Sequence, residues 1–536
     1  MSDSNRFSVI RDRPFALFLA IAVCFVVAKL FLIIRYPLQI HHDCALLLQQ
    51  GQLILDGWVP YVDFIEVNPP LIIYLNVLPA FLAQSLGLNA LPTFSFLVLI
   101  LAVWSATSIY KSLRLLDRKN DTQSAVVVFA TYLGITLLVV GNEFGQREHL
   151  FALLCCPFFF LRLLRWSGEN VPTYRAAVLG VLAAIGICLK PYFLLIVVGP
   201  EIYWFFSYRR FRPLLSTELR YFVATGLAYI GHFYFLPDEM FRAYFFVWVP
   251  EVAKHYDAYA NGIRHTLVQL YFLVPVVVAV AAILLSRYYI RGVRRWILGL
   301  ACVTLAAAVT YMIQLKGWKY HAVPMEIGAA LLVALLGSAS SKANGSLTDT
   351  KRASWTIPRL YTTFSRSSLA ILLMFCAYRA YSMDRLLHDR CVPTELYTVV
   401  DRVTQTGDTV LFIDTSVVPA YPMMMQLGLV PASRYLQSLP VALAYEDEKH
   451  DDGRKLPYHS ASEMSNLEAA FLRDMFADIQ TSTPILISIK SDEHPQACPN
   501  SFRMLDYLRQ YPSFKYVEEH YEAIEEIDGF RLFVRK

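Results

Sequence analysis

Apolar residues in this chain come in long unbroken runs, not at the spacing of an amphipathic surface helix. Over the first three quarters of the sequence these runs recur with few charges inside them. Each is long enough for a helix to cross a hydrocarbon layer of about 30 Å. The pattern predicts about eleven spans, near residues 15–35, 93–111, 123–141, 149–165, 175–189, 191–207, 218–236, 265–286, 296–314, 322–338 and 367–383. The fifth and sixth are short and share a break at Lys190-Pro191, as a hairpin would. Residues 69–87 are also apolar, but Pro69, Pro70 and Pro79 interrupt them. They read as an interfacial or partly inserted helix, with a full span as the alternative.

The pattern changes after residue 384. Residues 409–413 and 484–489 are short apolar runs with turn residues beside them, which predicts buried strands. Residues 529–535 alternate like an edge or half-buried strand. Helical stretches are expected near 393–405, 463–478 and 501–510. The expected organisation is a polytopic α-helical membrane domain over 1–384, followed by a small α/β domain over 385–536. Residues 339–366, rich in Ser, Thr, Lys and Arg, read as a flexible connection, and the charged 446–455 as an exposed loop.

Composition agrees. The chain has 536 residues, 56% hydrophobic and only 17% charged, too apolar for an ordinary soluble protein of this size. The first run is too long for a signal-peptide core and lacks a small-residue cleavage site, so it reads as a retained anchor. The net charge of +5 says less than its placement. One set of connections carries Arg6, Arg11 and Arg13; Lys111, Arg114, Arg118 and Lys119; Arg162, Arg165 and Arg175; Arg209, Arg210 and Arg212; and Arg287, Arg291, Arg294 and Arg295. The other set is poorer in cations, and 36–68 has none, although its longest later loop, 237–264, carries Arg242, Lys254 and Arg264. The positive-inside rule then puts the N-terminus in the cytoplasm and, with an odd number of spans, residues 385–536 outside. Counting 69–87 as a span would put Lys111–Lys119 outside, which is the reason for demoting it. Of the nine cysteines, Cys391 and Cys498 fall in the outer domain and are a candidate disulfide pair.

With that orientation the unusual polar groups collect on the outer side. Residues 41–70 hold Asp43, Asp56, Asp63 and Glu66 with two histidines and no Lys or Arg. Glu143, Arg147, Glu148 and His149 lie in GNEFGQREHL, Lys190 lies at the hairpin tip, and Lys316, Trp318, Lys319, Tyr320 and His321 lie in LKGWKYH. Ionisable groups at span ends are costly when unpaired, so four such loops on one side are expected to line one cavity. Structural alternatives stand beside each. Asp43 suits a helix N-cap, Asp56 before Gly57 suits a turn, and Glu66 suits a surface acid. Arg147 and Glu148 suit a pair with each other. Lys190 suits a snorkelling side chain, and Lys29 within the first span suits snorkelling or a pairing within the bundle. Lys316, Lys319, Trp318 and Tyr320 suit interfacial anchors. His41 and His42 with Asp43 keep a divalent metal open.

The order of these motifs resembles the GT-C class of membrane glycosyltransferases, in particular the lipid A aminoarabinose transferases and the protein O-mannosyltransferases with their bacterial relatives. The resemblance rests on Asp43 after the first span, the small-residue helix Ala45 to Gly57, Pro60-Tyr61-Val62-Asp63 and Glu66-Val67-Asn68-Pro69-Pro70. It continues through Gly145-Gln146-Arg147-Glu148-His149 and the Lys190-Pro191 break. It is good over about the first 210 residues and holds only in outline beyond. It implies an enzyme that takes a sugar from a polyprenyl-phosphate donor to an extracytoplasmic acceptor (lipopolysaccharide, a surface polysaccharide or a protein) at a bacterial inner membrane. Asp43 would act on the acceptor hydroxyl, with Glu66 and Glu148 as further catalytic acids. Asp63, Asn68, Arg147, His149, Lys190, Lys316, Trp318, Lys319, Tyr320 and His321 are the candidate substrate-binding residues. Val67 departs from the family, which often has Lys there. No cofactor is required by this reading and no nucleic-acid motif is present. A transporter or flippase of a lipid-linked saccharide is the competing function. It wants mid-membrane charges and matched halves, which the sequence lacks. A polysaccharide polymerase or ligase would carry its large outer loop late, not first.

Overall fold

The computed structural model describes residues 3–116, 122–255, 259–289, 291–346, 356–390, 394–445, 458–491 and 498–536. Helices occupy every expected span. Among the described residues, six are long and apolar enough to cross a membrane: Phe15–Arg35, Ala90–Leu115, Arg147–Ser167, Leu270–Tyr288, Gly292–Gln314 and Lys319–Ser338. Thr173–Cys188 and Phe193–Tyr208 are shorter apolar helices separated at the Lys190-Pro191 break. The chain is thus an integral, multi-pass membrane protein.

Three expectations are corrected. Residues 339–366 are not one loop, because helices Val323–Ser346 and Thr356–Arg390 run into them from both sides. The stretch read as a loop at 237–264 is largely helical, with Asp238–Arg242, a π-helical turn at Ala243–Trp248 and Val249–Lys254. Arg162 and Arg165 are not loop cations, since both lie within helix Arg147–Ser167.

The chain divides into two compact units. The first comprises residues 1–37, 95–234 and 261–387. Its centre is made by two helices, Arg147–Ser167 and Lys319–Ser338, each with 89% of its apolar window buried; Phe15–Arg35 and Leu270–Tyr288 are peripheral at 28%. A central helix can be apolar on all sides, which is why these two read as plain runs. Small residues permit close approach. A Cβ on Gly180 would come within 2.2 Å of the Glu218 carbonyl oxygen, so helices Thr173–Cys188 and Thr217–His232 touch backbone to backbone there.

One end of this unit is tied by ions. Arg162 is fully buried. It donates to Glu201 (2.6 and 2.8 Å) and to Glu218 (2.8 Å), and also to Ser216 Oγ and the Pro213 carbonyl. Arg165 adds a second cation to Glu218 at 3.1 Å, and Trp166 Nε1 donates to Glu201 at 3.0 Å. Two guanidinium groups thus face two carboxylates.

The second unit comprises residues 38–94, 235–260 and 388–536. Its five strands are β1 (Thr409–Ile413), β2 (Val430–Pro431), β3 (Leu486–Lys490), β4 (Tyr521–Ile527) and β5 (Phe530–Arg535), in the order β2-β1-β3-β5-β4. β1 is parallel to β2 and β3, while β5 is antiparallel to β3 and β4. The alternating strand expected at 529–535 is therefore interior, and β4 takes the edge. Asp528 and Gly529 both have positive φ (50° and 77°), as a two-residue hairpin turn requires. Helices Glu395–Val403, Asn466–Ser482 and Met504–Arg509 match the three expected. The charged segment expected as a loop at 446–455 lies outside the described residues. Near the start of this unit, helices His42–Leu55 and Pro70–Leu86 pack together. A Cβ on Gly51 would lie 2.6 Å from the Asn76 backbone, so only glycine permits the contact.

Removing the Arg162 guanidinium strands a buried carboxylate pair. Arg162→Met is expected to cost on the order of 3–5 kcal/mol, read as a large fall in the unfolding midpoint of the detergent-purified protein. Arg210→Met, at an exposed position, is expected to change stability by less than about 0.5 kcal/mol.

Candidate active site

In the first unit, the chain before helix Arg147–Ser167 folds back on itself. Gly141 and Gly145 take positive φ (61° and 89°). The Gly145 N–H donates to His149 Nδ1 at 3.0 Å, and the His149 ring lies 5.2 Å from that of Phe144. Of the two readings of Lys29, the structure has the one within the bundle: it is buried, with Nζ 3.5 Å from the Phe144 ring centre in a cation–π contact. His149 is thus held by its own turn.

Its neighbour Glu148 is fully buried and meets Lys190, which comes from the break between two helices. Lys190 Nζ donates to Glu148 Oε1 at 2.5 Å and to Gln314 Oε1 at 3.4 Å, and lies 3.3 Å from His321 Nε2. The Tyr320 ring sits 5.2 Å from the ammonium. His321 Nε2 is also 3.7 Å from Glu148. Arg147 and Lys316 are buried as well, and their charges act on His321. The charges of Arg147, Lys190 and Lys316 therefore all act on one imidazole, which lies beside the Glu148 carboxylate. They gather where the two central helices begin, and the N-terminal ends of helices add further positive potential. An anion is the ligand such a place favours.

The LKGWKYH turn supplies aromatics to the same cluster. Leu315 and Gly317 have positive φ (48° and 64°). Asn261 Nδ2 donates to the Lys316 carbonyl at 2.6 Å, and the Tyr271 hydroxyl donates to the Gly317 carbonyl at 2.5 Å. Trp318 lies 5.6 Å from both Tyr320 and His321, and Lys316 Nζ is 6.0 Å from its ring centre. Lys319 is half-buried.

The second unit holds the acids of 41–70. His41, not Asp43, is the N-cap of helix His42–Leu55: its Nδ1 accepts the Asp43 N–H at 3.2 Å. Asp43 is in the first turn, with its side chain 25% exposed and its Oδ1 3.5 Å from His42 Nε2. Burial, with the His42 charge adding to it, pushes His41 down to about 4. His42 is also lowered, chiefly by burial. Both imidazoles are therefore neutral near pH 7. Ligand atoms of His41, His42 and Asp43 lie within 4.8 Å of one another, a donor set that fits a divalent cation.

Glu66 is buried and its oxygens are taken up. Oε1 accepts from Val67 N (2.7 Å), Asn68 N (2.8 Å) and Asn68 Nδ2 (2.7 Å), and Oε2 accepts from Gln50 Nε2 (2.7 Å). It clamps the turn before Pro69. Val67 packs against Leu439 and Leu443. Asp63 is exposed, with Oδ2 accepting the Val59 N–H at 2.8 Å. Asp56 closes its helix beside Gly57 (φ 91°), a turn role. Cys391 lies outside the described residues, and Cys498 is buried.

Reading the sequence misses Gln314 and Gln50, the amides that complete the Lys190 and Glu66 clusters. The only signal was a Gln inside or beside an apolar run. Tyr244, whose ring lies 4.7 Å from Tyr61 and whose hydroxyl burial pushes up to about 12 with help from Glu66, was also missed.

No family model and no curated protein matches the sequence. Solved structures do. ArnT from Cupriavidus metallidurans, bound to undecaprenyl phosphate, superposes with a TM-score of 0.56 at 11% identity, covering 97% of this chain and 98% of that one. An Archaeoglobus fulgidus oligosaccharyltransferase tethered with an acceptor peptide gives 0.46 at 11% identity, over 88% of this chain and 69% of that one. The mycobacterial arabinofuranosyltransferase AftD gives 0.45 at 12% identity, over 97% of this chain and 41% of that one. The chain has the fold of ArnT over nearly its whole length, the GT-C fold that its sequence motifs resemble.

Proposed function

We propose that this protein is a membrane glycosyltransferase that moves a sugar from a polyprenyl-phosphate donor to a hydroxyl of an extracytoplasmic acceptor, namely lipopolysaccharide, a surface polysaccharide or a protein. The observation that carries this reading is the buried Lys190–Glu148–His321 cluster, with Arg147 and Lys316 buried beside it. Likeness to ArnT, a structure that holds undecaprenyl phosphate, supports a lipid-phosphate carrier. Fold likeness alone does not carry chemistry, so the residues must.

In the proposed reaction the acceptor oxygen attacks the anomeric carbon and the bond from that carbon to the phosphate oxygen breaks. The bonding electrons leave with the phosphate. Lys190, Arg147 and Lys316 stabilise the negative charge that grows there, Arg147 by a forked contact and the lysines as point charges. Glu148 holds the Lys190 ammonium in place. Asp43 takes the acceptor proton as general base, which fits a carboxylate not used in capping its helix. Attack opposite the leaving group inverts the anomeric centre. Glu66 is assigned a positioning role for Asn68, because four hydrogen bonds already occupy its oxygens. Trp318 and Tyr320 offer faces on which a sugar stacks, and Lys319, His321, Asp63 and Asn68 offer polar contacts. The arginine-rich connections face the cytoplasm of a bacterial inner membrane in this reading, and residues 36–68 face outward.

Two outcomes are expected. Asp43→Asn lowers transfer from purified polyprenyl-phosphate sugar by at least about a hundredfold while membrane insertion and thermal midpoint stay unchanged; undiminished transfer rejects the base assignment. Asp63→Cys in intact cells is labelled by a membrane-impermeant maleimide added outside. Labelling only after the cytoplasmic face is exposed rejects the orientation.

A further inference from the structure

The sheet of the second unit contains polar groups that the reaction above does not use. β1 has a parallel neighbour on each side, and the chain goes first to β2 on one side and then returns to β3 on the other. In open α/β sheets such a reversal leaves a crevice outside the carboxyl ends of the two strands, and ligands bind there. Asp414 is the residue that follows β1, and Lys490 ends β3. The parallel register pairs Phe412 with Ser488 and Ile413 with Ile489. Extending it by one residue sets Asp414 opposite Lys490. Ser488, two residues before Lys490, lies on the same face.

Two of these groups each leave one oxygen without a hydrogen bond. Asp414 is only 6% exposed, and its Oδ1 has no hydrogen bond. Ser488 is fully buried, and its Oγ has none either. A buried carboxylate oxygen without a donor is costly, and a retained one points to a donor arriving from elsewhere. Burial also pushes the Asp414 carboxyl up to about 6, against the Lys490 charge and the Thr415 and Ser416 N–H groups, which lower it. Lys490 lies with Nζ 4.8 Å from the Phe530 ring centre, and Tyr259 donates its hydroxyl to the Thr415 carbonyl at 3.4 Å.

The chemistry narrows the ligand. An anion meets the Asp414 charge, and a cation meets Lys490. An apolar ligand leaves both buried oxygens without donors. A neutral polyol satisfies all of them, because each hydroxyl both donates and accepts. We propose that the carboxyl edge of β1 and β3 is a saccharide subsite in which Asp414 accepts from one sugar hydroxyl and Lys490 donates to its neighbour. Its use in holding the acceptor glycan rests on the transferase reading, whereas its affinity for sugar does not.

Saturation-transfer NMR on the full-length protein in detergent tests this, with methyl α-mannopyranoside, methyl β-galactopyranoside and N-acetylglucosamine as probes. At least one probe is expected to take up saturation from the wild type and equally from Asp43→Asn. Asp414→Asn and Lys490→Met should each weaken it about tenfold, with the thermal midpoint as the folding control. If Asp414→Asn does not fold, Lys490→Met decides. No saturation of any probe, or saturation that both variants retain, overturns the subsite. Signal lost in Asp43→Asn but kept in Asp414→Asn assigns the sugar to the transfer site instead and also overturns it. Saturation that depends on Asp414 in a protein that transfers no sugar keeps the subsite and removes the transferase reading.

Discussion

A lysine ammonium and a glutamate carboxylate held 2.5 Å apart inside a helical bundle are the constraint on which the rest turns. Bringing each ion out of water costs several kcal/mol, and mutual attraction repays this only when the remaining donors and acceptors are met. Gln314 and His321 meet those of Lys190. A hydrophobic pair of the same volume would serve stability as well or better, so stability alone does not explain why the ions are there. The other buried ionic cluster is built differently. Around Arg162, two guanidinium groups answer two carboxylates, a closed tie between helices. Around Lys190, the buried Arg147 and Lys316 act on His321 beside the Glu148 carboxylate.

The placement follows from the bundle. The two most buried helices both begin at this cluster, so their dipoles add to the cations and the apolar walls keep the local dielectric low. A phosphate gains most from fixed charge in such surroundings, because no water has to reorganise as the sugar leaves. Lys190 reaches the cluster only because the chain breaks at Lys190-Pro191, which ends one helix and sets the next.

Much of this was legible in the sequence, and the failures have physical causes. Long apolar runs marked the helices because burial in lipid or in protein asks for the same residues. For that reason the runs could not distinguish the central Arg147–Ser167 from the peripheral Leu270–Tyr288. Arg162 looked like a loop cation because its partners Glu201 and Glu218 are distant in sequence. Lys190, Glu148 and His321 were each flagged for being charged or polar at a span end, and their convergence is tertiary. β4 was missed because its glutamates hid an edge strand. The Asp528-Gly529 turn is the one sequence signal of the hairpin that carries it. Asp43 has the residue type of a cap, whereas His41 does the capping. The grouping of 38–94 and 235–260 with 388–536 has no signature in any one of those segments.

Whether the Lys190 cluster holds a lipid-borne phosphate is read most directly by native mass spectrometry of the purified protein with undecaprenyl phosphate and, in parallel, undecaprenol. The phosphate lipid should bind the wild type well above the alcohol, and Lys190→Met should weaken it by roughly tenfold to a hundredfold while leaving the alcohol unchanged. Equal binding of the two lipids, or phosphate binding indifferent to Lys190, would contradict the account.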